Sequence, residues 1–192
     1  MKIIKAMIGY GAIVALALAP TAVLADSPDY TYIEGGYINA DFDGGGDADG
    51  FGISGSAEVG ENIFMFAGYS SIGDAGVDLN SFDVGIGYKS AISDTTDVNV
   101  SIAYVSAEID FGFFGSNRED GYALDVSLRS MVSNEFELNG GITYVDLGGG
   151  ADDTAFNVGG VYSFNDSFAV TGGISFSNDV TTFGIGGRFY VE

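Results

Sequence analysis

The sequence predicts an all-β fold, an antiparallel up-and-down transmembrane β-barrel of ten strands, with eight strands as the alternative. Three observations lead there. In residues 154–176, Phe156, Val158, Gly160, Tyr162 and Phe164, then Phe168, Val170, Gly172, Ile174 and Phe176, alternate with small, mostly polar residues such as Asn157, Ser163, Thr171 and Ser175. A period of two means strands with one apolar and one polar face. Asn165, Asp166 and Ser167 between them are turn formers. Asp166 is the only charge in that hairpin, although a soluble hairpin normally carries charge on its wet face. The same unit of strand, Asp/Gly loop, strand and tight polar turn then recurs along the chain.

Strand one is expected over 30–41, followed by a Gly/Asp loop, strand two over 51–59 and a turn at 60–62. Strand three, 63–71, is apolar on both faces, so its lipid side stays open. Strand four, 81–91, sets Phe82, Val84, Ile86 and Tyr88 against Asp83, Gly85, Gly87 and Lys89. In strand five Val98, Val100, Ile102 and Tyr104 share a face, and the longest loop follows at 112–120. Strand six, 121–131, places Tyr122, Leu124, Val126 and Leu128 opposite Asp125, Ser127 and Arg129. After a turn at 132–135, strand seven points Phe136, Leu138, Gly140, Ile142 and Tyr144 outward. The loop LGGGADD leads into strands eight and nine, and strand ten runs over 181–191. Strands of about ten residues, tilted, span the hydrocarbon core. An even number leaves both termini on one side, with short turns there and longer loops opposite.

The first 25 residues read as a secretory signal: Lys2 and Lys5, an apolar run from Ala6 to Ala19, then Ala25 at the cut. Residues 26–192 form the barrel domain. The chain carries 27 acidic against 6 basic residues, a net charge of −21, and two of the cations lie in the signal. Such acidity excludes nucleic-acid phosphates as a partner. With no Cys, disulfides cannot hold the exported fold. Disorder does not suit a chain that is 46% hydrophobic and 14% aromatic with alternating apolar residues.

Placing the charges tests the topology. The acids fall in the loops, at the turn end or in the lumen, and none lies mid-strand on the lipid face, where a charge is costly. Glu34, Asp83, Asp125 and Glu137 point inward, as do Lys89, Arg129 and Arg188, which lie near the turn end. These seven form an expected lumen charge cluster, with the three cations approaching Glu34 and Glu137 as a paired plug. In the stretch DFDGGGDADG, Asp41, Asp43, Asp47 and Asp49 have the oxygen-rich spacing of a calcium or magnesium loop, without the terminal Glu of an EF-hand. No other cofactor is expected.

The signal, the YTYIEGGY opening, the Gly-aromatic strands and the Asp/Gly loops together resemble small single-chain bacterial outer-membrane β-barrels of the opacity/porin-like superfamily. The resemblance covers essentially the whole of 26–192 and implies the outer membrane of a Gram-negative bacterium, reached through the periplasm. It implies lipid, lipopolysaccharide and the outer-membrane assembly machinery as partners, and a monomer. Such barrels usually finish on an aromatic residue. Here the last residues are FYVE, so recognition by the assembly machinery is expected either to rest on Phe189 or Tyr190 or to be less efficient. With no His and no Cys, no Ser-His or Cys-His nucleophile can be built, and no enzyme activity is expected. Two functions follow: a structural or interaction barrel displaying acidic surface loops, and, as the alternative, a small porin-like diffusion channel.

Overall fold

The computed structural model describes residues 27–149 and 152–191. The expected signal peptide and its cleavage point lie outside the described residues. Ten antiparallel strands close into one barrel, each bonded to its sequence neighbours and β1 to β10. They are β1 Tyr32–Phe42, β2 Asp47–Glu58, β3 Ile63–Asp74, β4 Val77–Ser93 and β5 Thr96–Asp110, then β6 Ser116–Met131, β7 Phe136–Asp146, β8 Asp152–Asn165, β9 Phe168–Phe176 and β10 Val180–Tyr190. Closure removes the sheet edges, so the wall pairs its backbone groups strand to strand, as a bilayer demands.

Several strands are longer than the sequence suggested, above all in the middle of the chain. β4 has 17 residues, β5 has 15 and β6 has 16, whereas roughly 9–11 suffice to cross. Segments expected as loops are therefore paired strand: Asp47 and Asp49 in β2, Asp78 in β4, and residues 116–120 in β6. The β3–β4 connection shrinks to Ala75 and Gly76, both at positive φ (50° and 84°). Positive φ at both central residues suits a two-residue hairpin whose twist matches its strands. Continuing the ladder satisfies backbone groups that a loop would leave to water.

Along the membrane belt Ile33, Val84, Ile86, Ile102, Leu124, Val126, Ile142 and Ile185 are exposed on the outer face. That face is apolar because lipid is its solvent. For β3 the structure decides: Ile63, Met65 and Tyr69 face out, and Phe64 and Phe66 turn inward. Their rings fill the space above Gly85 and Gly87 on β4, where an added Cβ would strike the ring tips. Two glycines on one strand thus fix the facing of its neighbour.

Towards the end opposite the termini the polarity of the wall inverts. In β5 the outer row runs Val100, Ile102, Tyr104 and then Ser106, Glu108, Asp110. The inner row runs Asp97, Asn99, Ser101 and then Ala103, Val105, Ala107, Ile109. Ile38, Ile72, Leu79, Val105, Ile109, Val145, Leu147 and Val180 pack there into one buried cluster. The reason is the change of solvent: strands that rise out of the bilayer meet water on the outside and must bury apolar side chains inside. Tyrosines mark the crossover. Tyr69 donates to Asn80 Oδ1 at 2.9 Å and Tyr104 to Asp120 Oδ1 at 2.8 Å, as suits rings with an apolar body and a wet tip.

Candidate functional site

The lumen has three levels, and the lowest, beside the termini, is charged. Arg129 on β6 donates from Nε to Glu137 Oε1 at 2.8 Å and from Nη2 to Glu137 Oε2 at 2.7 Å. Glu137 lies across the ladder on β7 and also accepts Asn139 Nδ2 at 3.0 Å. Arg188 on β10 donates from Nε to Glu34 Oε2 at 2.8 Å, and its Nη1 is 3.8 Å from Glu137 Oε2. Thr171 completes the shell of Glu34 at 3.1 Å. Arg129, Glu137 and Arg188 are buried. Breaking such a pair costs about 3–5 kcal/mol, since it strands a charge away from water.

The N-terminal segment closes this level. Pro28 and Tyr30 are buried although they precede the first strand. The Tyr30 hydroxyl donates to Asn99 Oδ1 at 2.7 Å. Lys89 Nζ lies 4.4 Å and Arg129 Cζ 4.2 Å from its ring centroid, and the Phe64 ring lies 5.0 Å away. Arg129 Nη2 also donates to the Asp29 carbonyl at 2.8 Å, and the Tyr32 ring sits 3.8 Å from Arg188 Cζ. Each cation lies over an aromatic face within the range of a cation–π contact. The plug is therefore built of aromatics as well as charges. The sequence reading placed Tyr30 at the start of strand one, but the strand begins at Tyr32 and Tyr30 turns into the lumen instead, a contact that strand periodicity does not encode.

Of the seven residues expected in one lumen cluster, Glu34, Arg129, Glu137 and Arg188 come together. Lys89 does not pair with Glu34 or Glu137 but with Glu58. The register explains it: Glu58 on β2 and Gly87 on β4 both stand opposite Phe64 of β3. Lys89, one inward step beyond Gly87, passes the end of β3 and meets Glu58. Asp97, placed by sequence at the turn end, is buried inside opposite Arg129.

Asp83 and Asp125 occupy the middle level, apart from these pairs, and face a cavity of about 340 Å³. Asp125 accepts Ser127 Oγ at 2.8 Å and Thr143 Oγ1 at 2.9 Å. The apolar cluster around Ile38, Ile72 and Val105 forms the third level and roofs the cavity.

The expected cation loop is not assembled. Asp41, Asp47 and Asp49 stand on paired strands, exposed on the outer wall, with Asp41 directly opposite Asp47, and only Asp43 lies in the turn. Among the described residues no group of three or more carboxylates is placed to hold a metal ion. Extending the hairpin ladder spreads these side chains along the wall instead of folding them round a centre.

A closed barrel with an apolar outer belt and an aromatic boundary defines an integral membrane barrel of the bacterial outer-membrane kind. Residues 11–164 match the family described as outer membrane protein beta-barrel domain, and the chain belongs to that family. Its location is accordingly the outer membrane. Among curated proteins none matches. Solved structures similar to it include the KdgM porin, at 12% identity and a TM-score of 0.48, covering 83% of this chain and 99% of that one. Ail, the attachment invasion locus protein of Yersinia pestis, is similar at 15% identity and a TM-score of 0.41, covering 83% and 97%. Neisserial surface protein A is similar at 14% identity and a TM-score of 0.44, covering 84% and 96%.

Proposed function

We propose that this protein is a sealed outer-membrane barrel with a structural or interaction role, which presents a rigid acidic rim at the cell surface. One observation carries it: the lumen is filled at two separate levels, by Tyr30 with its arginine pairs and by the apolar cluster around Ile72 and Val105. A diffusion path would have to dislodge both. Barrels of about eight strands fill their interior with side chains, and open aqueous channels belong to much wider ones.

With the termini in the periplasm, as in single-chain barrels, the opposite end stands outside the cell. Asp41, Asp47, Asp49, Asp78, Glu108, Asp110, Asp120 and Asp152 then project from the outer wall there. Arg118 is the one cation among them, paired with Glu108 at 3.0 Å. The rim is β-sheet over its own apolar core, so it offers a fixed array of carboxylates in place of flexible loops. Lipid and lipopolysaccharide are the surrounding partners, the assembly machinery inserts the chain, and the barrel is a monomer.

The runner-up is a small diffusion channel, favoured by the cavity between the two plugs. Proteoliposomes decide between them: the sealed barrel leaves the efflux of small ions and sugars at the level of empty vesicles. Efflux that scales with the amount of native protein assigns it to the channels.

A further inference from the structure

We infer that the mid-lumen cavity is a binding site for a small organic cation, with Asp83 as its counter-ion. The cations that face the lumen are Lys89, Arg129 and Arg188, and each is ion-paired with Glu58, Glu137 or Glu34, although Arg188 Nη1 makes no hydrogen bond among the described residues. Two carboxylates in the cavity wall are left over. Asp125 is satisfied by two hydroxyl donors. Asp83, half-buried on β4, has no hydrogen-bond or ion-pair partner among the described residues. A carboxylate drawn away from bulk water without a donor or a counter-charge is costly. A protein that keeps one facing a void has left a place for the missing cation.

The rest of the wall says what kind of cation. Tyr30, Phe64 and Phe66 form an aromatic column rising from the plug, with ring centroids 5.0 Å and then 6.0 Å apart. The Phe66 ring lies over Gly85, the next inward position after Asp83 on the same strand. Gly68, opposite Asp83, leaves the carboxylate room: a Cβ there would approach Oδ1 to 2.6 Å. Tyr30 is already taken by Lys89 and Arg129, so the Phe66 ring near Asp83 is the one that would meet an ammonium head on an apolar body, held by charge and by cation–π contact. A hard metal ion suits the place less, since calcium takes six to eight oxygen ligands and the described residues gather no such group. About 340 Å³ is room for on the order of ten waters, enough for an amine carrying one ring.

The probe is benzyltrimethylammonium, with benzyl alcohol as the uncharged control and sodium chloride as the ionic one. The full chain is refolded in detergent with each, freed of excess, and measured by native mass spectrometry and equilibrium dialysis. One equivalent of the cation should be retained by the native barrel, and neither benzyl alcohol nor sodium should displace it. Asp83→Asn, which keeps the shape and removes the charge, should lose affinity by roughly tenfold or more. Ala123→Leu, which keeps Asp83 and fills the wall of the void, should weaken retention as well. Heat-modifiable migration confirms that each variant is folded. Equal retention by Asp83→Asn, equal binding of benzyl alcohol, or no saturable binding by a folded native barrel each overturns the proposal. Conductance plays no part in these readouts, so the site can fail while the sealed barrel stands, and the reverse.

Discussion

Arg129 and Glu137 meet through two parallel hydrogen bonds, Nε to Oε1 at 2.8 Å and Nη2 to Oε2 at 2.7 Å, across the β6–β7 ladder at the foot of the lumen. This is the planar fork geometry that a guanidinium makes with a carboxylate and an ammonium does not. Arg129→Ala should cost about 3–5 kcal/mol by leaving Glu137 buried without its partner. Arg129→Lys should recover only part of that. The joint replacement Arg129→Met with Glu137→Leu should cost less than Arg129→Ala, because neither charge of the pair is left behind. Urea unfolding in lipid vesicles gives all three values, and a single mutant as mild as the double one would mean the pair is solvated.

The wall separates two solvents within one residue step. Val126 lies on the outer face and Asp125 on the inner. Val126→Arg should cost ~2–4 kcal/mol if its level is near the bilayer midplane. Asp125→Asn keeps an acceptor for Ser127 and Thr143 and should cost much less. The same unfolding experiment tests this, and equal tolerance at both positions would remove the lipid face.

Phe66 and Gly85 interlock across the β3–β4 ladder. Gly85→Val should cost roughly 1–3 kcal/mol or more by overpacking, since a Cβ there meets the Ile102 carbonyl of β5 at 2.6 Å as well as the ring. Combined with Phe66→Ala, the valine should be tolerated better than on the native background. A double-mutant cycle without coupling would show that the ring does not rest on the glycine.

Orientation is tested by single cysteines, which the chain lacks. Positions 47, 78, 120 and 152 should react with an impermeant maleimide on intact cells, and positions 94 and 166 only after the outer membrane is opened. The reverse pattern would invert the topology.

The ten strands and the outward rows were legible because a period of two is a local property: Tyr122, Leu124, Val126 and Leu128 declare their face without help from elsewhere. What stayed hidden depends on neighbours. Phe64 and Phe66 face inward because of glycines on the next strand, and Lys89 finds Glu58 through the stagger of three strands. Tyr30 becomes a plug only once a closed ring of strands exists to receive it. The acidic segments looked like loops because Asp and Gly are poor strand formers. Pairing with a long partner such as β5 overrides that propensity. The inversion of β5, from Asn99 and Ser101 inside to Val105 and Ala107 inside, is visible in the sequence once the bilayer boundary at Tyr104 is known.

Planar-bilayer recording of the native barrel beside Tyr30→Ala tests the sealed lumen most directly. Tyr30 fills the foot of the barrel between Lys89, Arg129 and Phe64, so the native protein should insert without a steady conductance. Removing its ring should produce brief, small openings, since the apolar cluster above still blocks the path. A large, steady native conductance, left unchanged by Tyr30→Ala, would contradict a sealed barrel.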